Sequence, residues 1–247
     1  MPDGVSLMVF AAWFVGGFIS GVTGVGGSLV ALPLTALALP MHTIIPLSCI
    51  LNTLMDAALV ALHFRHCKLA ALIPLMLGAL PGSVLGLYIL QVMSGDFLQG
   101  ALGVVLLGYI WWQLTARGGV AREDSWLKGS VAGFGAGVLG TAISIDGPPV
   151  GAYALHVGWP PRMLLGTLGV FFVLRGLFTC VLQGWAGLYT AEVIHHTCYG
   201  APACVLGTVC ALPVVKRIPM PLFRKALMLV IAAAGVVCLV GVLRGGQ

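Results

Sequence analysis

SGVTGVGGSLVALP, Ser20 to Pro33, places Gly21, Gly24, Gly26 and Gly27 inside a run from Gly4 to Met55 that contains no Lys, Arg, Asp or Glu. A run that apolar belongs in a bilayer. Glycine is nevertheless a weak helix former, and four of them close together mark a place where the chain can turn sharply. The surrounding segment has the wrong length for a simple crossing. As one straight helix, Val5 to Leu39 would be roughly 50 Å long at about 1.5 Å per residue, against a hydrocarbon core of about 30 Å. It is too long for one crossing and too short for two.

A second segment has the same defect. Trp126 to Val157 is interrupted by Ser144-Ile145-Asp146-Gly147-Pro148-Pro149, and the two prolines lack the N–H that a continuing helix needs. Two half-helices joined at membrane depth account for both the length and the interruption.

The rest of the chain agrees with a membrane setting. Of 247 residues, 60% are hydrophobic and only 8% charged, and the mean hydropathy is +1.07. That balance excludes an ordinary soluble domain. Further apolar spans are predicted at 44–62, 69–90, 97–114, 163–182, 193–215 and 222–243. The net charge of +5 does not imply nucleic acid, because nearly all Lys and Arg sit in short connections beside apolar spans, where they act as topology signals. Asp3, with no basic residue before the first apolar run, argues against a cleavable signal peptide. The seven cysteines show no CxxC spacing and fall mostly in spans, so they read as free thiols serving as small apolar residues.

Charge distribution tests the hairpin reading. If 5–39 and 126–157 are re-entrant, entering and leaving on one face, the four connections on the cytoplasmic side collect Arg65, Lys68, Arg117, Arg122, Lys128, Arg162, Lys216, Arg217, Arg224 and Lys225, ten of the twelve Lys and Arg. Asp3, His42, Asp96, Glu192 and Arg244 fall on the other side. With eight conventional crossings, Arg65 and Lys68 would lie opposite the four cations before the last span. The positive-inside rule favours the hairpins. It also places both termini on the periplasmic or exterior side.

The expected fold is therefore an all-α integral membrane protein of two inverted repeats, 1–120 and 121–247, each a re-entrant broken-helix hairpin followed by three transmembrane helices. Gly26-Gly27 corresponds to Gly147-Pro148, Ser48 to Thr167 and Asp56 to Arg175. Secondary transporters use this plan, with broken helices meeting near the midplane.

SGVTGVGGSLVALP, followed by a span containing Ser48 and a second break in the other half, resembles the TauE/SafE sulfite exporter family of anion transporters. The resemblance covers essentially the whole chain. It implies transport of sulfite, of sulfonates such as sulfoacetate, or of related small anions across the cytoplasmic (inner) membrane. Ser28 stands where the family often continues its glycine run, and Ser144 and Asp146 stand where it usually has glycines.

A half-helix that begins inside the membrane offers unsatisfied N–H groups and the positive end of its dipole to an anion. In the first repeat these are the N–H groups of Gly26, Gly27 and Ser28, with the Thr23 and Ser28 hydroxyls nearby. The bland alternative is that the glycines only let helices pack closely. In the second repeat, Gly147 frees the backbone, Pro148 and Pro149 start the next half-helix, and Asp146 is either its N-cap or a proton carrier. Arg175, in VFFVLRGLFTC, is the one basic residue deep in a span, which demands a polar partner or a cavity. It is assigned to the anion, with an ion pair to Asp56 as the structural alternative. Asp56 is the candidate coupling carboxylate. Asn52, one turn before it, can offer a neutral hydrogen bond, as can Ser48 and Thr167.

The spacings of His63, His66 and Cys67, and of Glu192 to His196, suit metal ligands, but both groups lie at membrane boundaries where polar residues are expected; no metal and no cofactor is expected. Trp111, Trp112, Trp159 and Trp185 read as an interfacial belt. The leading class is a secondary transporter with a small anionic substrate and a lipid bilayer around it. Proton coupling, homodimer formation and the direction of transport stay open. An anion channel of the same architecture is the second class, and a carrier of small carboxylates is a variant of the first. An intramembrane enzyme is the weakest, since no GxSG, GxGD or HExxH occurs; the absence of GxxxxGK[ST] excludes an ATPase within this chain.

Overall fold

The computed structural model describes residues 4–23, 26–115, 125–214 and 220–245. Gly24 and the cations Arg117, Arg122, Lys216 and Arg217 lie outside the described residues. The described chain contains α1 (Gly4–Thr23), α2 (Gly27–Thr35), α3 (Met41–His63), α4 (Leu69–Val92), α5 (Gly95–Thr115), α6 (Trp126–Ile143), α7 (Gly147–Val157), α8 (Pro161–Trp185), α9 (Ala191–Val214) and α10 (Met220–Gly245), with one turn of 3₁₀ helix at Phe64–His66.

Both wrong-length segments are broken. In the first, Gly26 adopts φ +100° and precedes α2, a conformation open to glycine and strained for other residues. In the second, Ser144 ends α6 at φ 55°, in the left-handed region without being a glycine. Leu139 O accepts from the Ser144 N–H and, at 3.3 Å, from the Ile145 N–H, which closes the end of α6. Pro148 and Pro149 then occupy the first turn of α7, where a missing N–H is tolerated. The arms are unequal: α1 has 20 residues and α2 nine, α6 has 18 and α7 eleven. The first break thus lies at the end of a helix long enough to cross the core, not midway along the segment.

Four helices among the described residues are long and apolar enough to cross a membrane: α1, α4, α5 and Met163–Trp185 of α8. The predicted spans at 44–62 and 193–215 form helices as well, α3 and α9. Both also carry polar residues: Thr43, Ser48, Asn52, Thr53 and Asp56 in α3, and Glu192, His195, His196 and Thr197 in α9. These are helices for the interior of a bundle. The outer surface exposes Leu7, Leu77, Val104, Val131, Leu177 and Leu229, as a chain surrounded by hydrocarbon requires.

The most extensive packing joins α4 to α6 and α1 to α9, followed by α5 with α10 and α3 with α8. Exchanging the first five helices for the last five in order turns the α1–α9 pair into the α6–α4 pair and maps the α5–α10 and α3–α8 pairs onto themselves. Glycine makes both leading pairs close. A Cβ at Gly78 would collide with the Ser130 carbonyl and one at Gly133 with the Leu75 carbonyl; in the other pair, Gly17 meets the Cys204 carbonyl and Gly207 the Phe14 carbonyl. Small residues let membrane helices approach to van der Waals contact of their backbones, where dispersion and weak hydrogen bonds replace the missing hydrophobic drive.

The tryptophan belt needs correction. Trp111 and Trp185 are exposed, but Trp159 is buried, edge-on to Tyr153 at 5.7 Å between ring centroids. Trp112 is half-buried and lines an internal vestibule.

Candidate functional site

The two breaks meet. The start of α2, the middle of α3 and the start of α7 enclose a cavity of about 20 Å³ lined by Gly26, Gly27, Ser28, Asn52, Asp56 and Asp146, with Ser20, Met55 and Phe172 completing the wall. That volume holds about one water. Six of the ten residues assigned from sequence are therefore in one wall, drawn from both halves of the chain.

A second cavity, of about 160 Å³, shares Gly26, Ser28 and Asp146 with the first and adds Gly147 and Pro148. Its remaining wall is mostly apolar and comes from the last turns of α5, at Tyr109, Trp112 and Gln113, and the first turns of α8, at Leu164 and Leu168. The Gln113 side-chain amide donates to Tyr109 Oη at 2.7 Å, which fixes the polar edge of this vestibule.

Arg175 is 3% exposed and stands behind the small cavity. Its Nη2 lies 2.6 Å from Asp146 Oδ2. Nη1 donates to Thr179 Oγ1 at 3.3 Å, one turn along α8, and Thr179 in turn contacts Thr141 Oγ1 at 3.2 Å. Gly140 makes room for the guanidinium, since a Cβ there would sit 2.6 Å from Nη1. Arg175 Nε is buried without a hydrogen-bond partner. The ion pair of Arg175 is with Asp146, not with Asp56, the partner in the structural alternative to anion contact. Asp56 lines the cavity with no ion-pair partner among the described residues.

Asp146 does occupy the N-cap position of α7, but its side chain makes no capping hydrogen bond. The carboxylate turns to Arg175 instead, a stronger charge-assisted contact. Ser144 links the two halves: its hydroxyl donates to Ile45 O at 3.1 Å, and its carbonyl accepts from Asn52 Nδ2 at 3.5 Å.

Three assigned groups lie elsewhere. Thr23 Oγ1 donates to Ile19 O at 2.8 Å on its own helix and lines neither cavity. Thr167 Oγ1 accepts the Lys68 N–H at 3.0 Å and so ties α8 to the start of α4. Ser48 Oγ is buried without a partner, away from both walls. Gly27 has a double role, lining the cavity while packing so tightly that a Cβ would strike the Gly16 carbonyl. Sequence reasoning missed Thr141, Thr179 and Gly140. Only Thr179 carried a signal, its i+4 spacing from Arg175 on one helix face.

The site can present N–H groups at the start of α2, an amide, and a guanidinium already engaged by a carboxylate. Fold and site together define a multi-pass, all-helical membrane protein with an interior polar site between two helix breaks, a construction that membrane transport proteins use. The family model described as Sulfite exporter TauE/SafE matches residues 9–238. The chain belongs to that family. No curated protein and no solved structure matches it.

Proposed function

We propose that this chain is a secondary transporter that exports a small sulfur oxyanion, sulfite or a short sulfonate such as sulfoacetate, across the cytoplasmic membrane by alternating access. The observation that carries the reading is the convergence of both helix breaks on one polar cavity in a member of the TauE/SafE family. The self-consistent exchange of helix pairs supports two repeats, divided near 120. The charge distribution supports inversion of one against the other, with both termini on the periplasmic side.

The vestibule adjoins the end of α5 and the start of α8, helix ends that the charge distribution assigns to the cytoplasmic side. That neighbourhood supports an inward-facing conformation, with the anion entering from the cytoplasm. The first repeat contributes the N–H groups of Gly27 and Ser28, and Arg175 contributes a fork of donors. Asp56 is the coupling group in this scheme: an anion beside an unpaired carboxylate is tolerated when that carboxyl carries a proton, so anion and proton enter together.

The test is a thermal-shift screen on purified protein with sulfite, sulfate, sulfoacetate, taurine, thiosulfate and a short carboxylate. A sulfur oxyanion should stabilise the wild type and leave Arg175→Ala unmoved. Stabilisation by the carboxylate alone overturns the sulfur assignment. Exchange of labelled anion across vesicle membranes distinguishes a carrier from a channel, which shows unsaturable flux without exchange.

A further inference from the structure

Cys49 on α3 and Cys180 on α8 are 131 residues apart in sequence, yet their sulfurs lie 3.6 Å apart. Cys49 is buried and Cys180 half-buried. The seam around them is tight: Thr53 Oγ1 donates to Cys49 O at 2.7 Å and lies 3.9 Å from the Cys180 sulfur, and Gly176 is where α8 yields to Thr53, a Cβ there colliding with its hydroxyl. Cys49 Sγ also reaches Gly176 O at 3.8 Å. After α8, Tyr189 donates to Gln183 Oε1 at 3.4 Å and flanks Cys180. Isolated buried thiols are common core fillers; here two thiols from different helices lie in contact.

We propose that Cys49 and Cys180 are a reversible oxidation site, which hydrogen peroxide converts to a disulfide joining α3 to α8. Cys180, the more accessible thiol, attacks the peroxide oxygen; the O–O bond breaks, and the departing hydroxide leaves as water with the thiol proton, giving a sulfenic acid. The Cys49 sulfur then attacks the Cys180 sulfur. The S–S bond forms, the S–O bond breaks, and a second water leaves with the Cys49 proton. Two thiols supply two electrons and one peroxide becomes two waters. The sulfurs need to close from 3.6 Å to a bond of about 2.05 Å. A dithiol reductant restores the pair by thiol–disulfide exchange.

The tie would join the helix that carries Asn52 and Asp56 to the helix that carries Arg175, within two turns of each. Its functional consequence rests on the transporter reading: α3 and α8 could no longer part, and transport would stop.

Purified full-length protein in nanodiscs is treated with hydrogen peroxide and mapped by mass spectrometry without reduction. A Cys49–Cys180 cross-linked peptide is expected, reversed by dithiothreitol and absent from C49S/C180S. Recovery of both thiols unlinked, or of Cys180 oxidised to the sulfinic acid with Cys49 free, overturns the site. This readout uses the wild type and so does not depend on a variant that folds. In vesicles, oxidation should lower anion flux at least tenfold, reversibly, and C49S/C180S should keep its flux under peroxide. A cross-link that leaves flux unchanged overturns the locking role. If untreated wild type carries no anion, the transporter reading fails while the peptide map still decides the oxidation site.

Discussion

The two helix breaks do the same geometric task with opposite chemistry. At the first, Gly26 takes a positive φ without strain, and Gly27 and Ser28 begin α2 with N–H groups that have no partner within the helix. No charge is present. At the second, the turn is made by Ser144, a residue with a Cβ in the left-handed region, and Pro148 and Pro149 remove two of the donors that α7 would otherwise present. The positive end there is supplied by Arg175, held by Asp146 and Thr179. One side of the cavity thus offers neutral dipoles and the other a compensated charge. Two breaks can share a geometry while the groups they present differ, because a break needs only backbone freedom at one residue, and either glycine or a left-handed serine provides it.

Substitutions can break this contrast. Arg175→Ala removes the only cation at either tip, and anion flux in vesicles should fall by roughly two orders of magnitude, since truncating one member of a buried charge pair costs about 2–5 kcal/mol. Arg175→Gln combined with Asp146→Asn removes both charges and should restore stability without restoring flux; recovery of flux would show that the pair is only structural. At the first tip, Gly27→Val drives a side chain into the Gly16 carbonyl and should destabilise by about 1–3 kcal/mol, seen as a lower unfolding temperature. Gly26→Ala should cost about 1–2 kcal/mol for its positive φ. The corresponding relief at the second tip, Ser144→Gly, should change stability by less than about 0.5 kcal/mol, because the relaxed backbone offsets the lost hydrogen bond to Ile45. Equal effects at Gly26 and Ser144 would erase the contrast.

Both breaks were legible because length is a physical constraint: a segment too long for one crossing has to turn, and Gly21 to Gly27 and Gly147 to Pro149 say where. The unequal arms were not legible, since glycines at Gly16, Gly17 and Gly21 weaken α1 without ending it; two of them are needed where α9 packs, at Cys204 and Thr208. Asn52, Asp56 and Asp146 were found as polar residues in apolar surroundings, which only a cavity or a partner explains. The alternative reading of Arg175, an ion pair, named the wrong carboxylate. Repeat correspondence pointed to Asp56, but correspondence describes equivalent positions, while contact depends on how α7 lies against α8, and that brings Asp146 to the guanidinium. Cys49 and Cys180 gave no signal at all: each reads alone as a small apolar residue, and only the packing of α3 on α8 brings them together.

In this conformation Asp146, 2.6 Å from Arg175, already occupies the guanidinium. In the transport reading, an incoming anion does not fill an empty site but displaces a tethered rival of like charge. Measured affinity is then a displacement constant, weaker than the intrinsic one by the strength of the resident pair. Anions too weakly basic to compete are turned away before size matters. Asp146→Asn should tighten binding roughly tenfold, about 1.4 kcal/mol, and should widen the range of anions accepted, at the expense of letting them go.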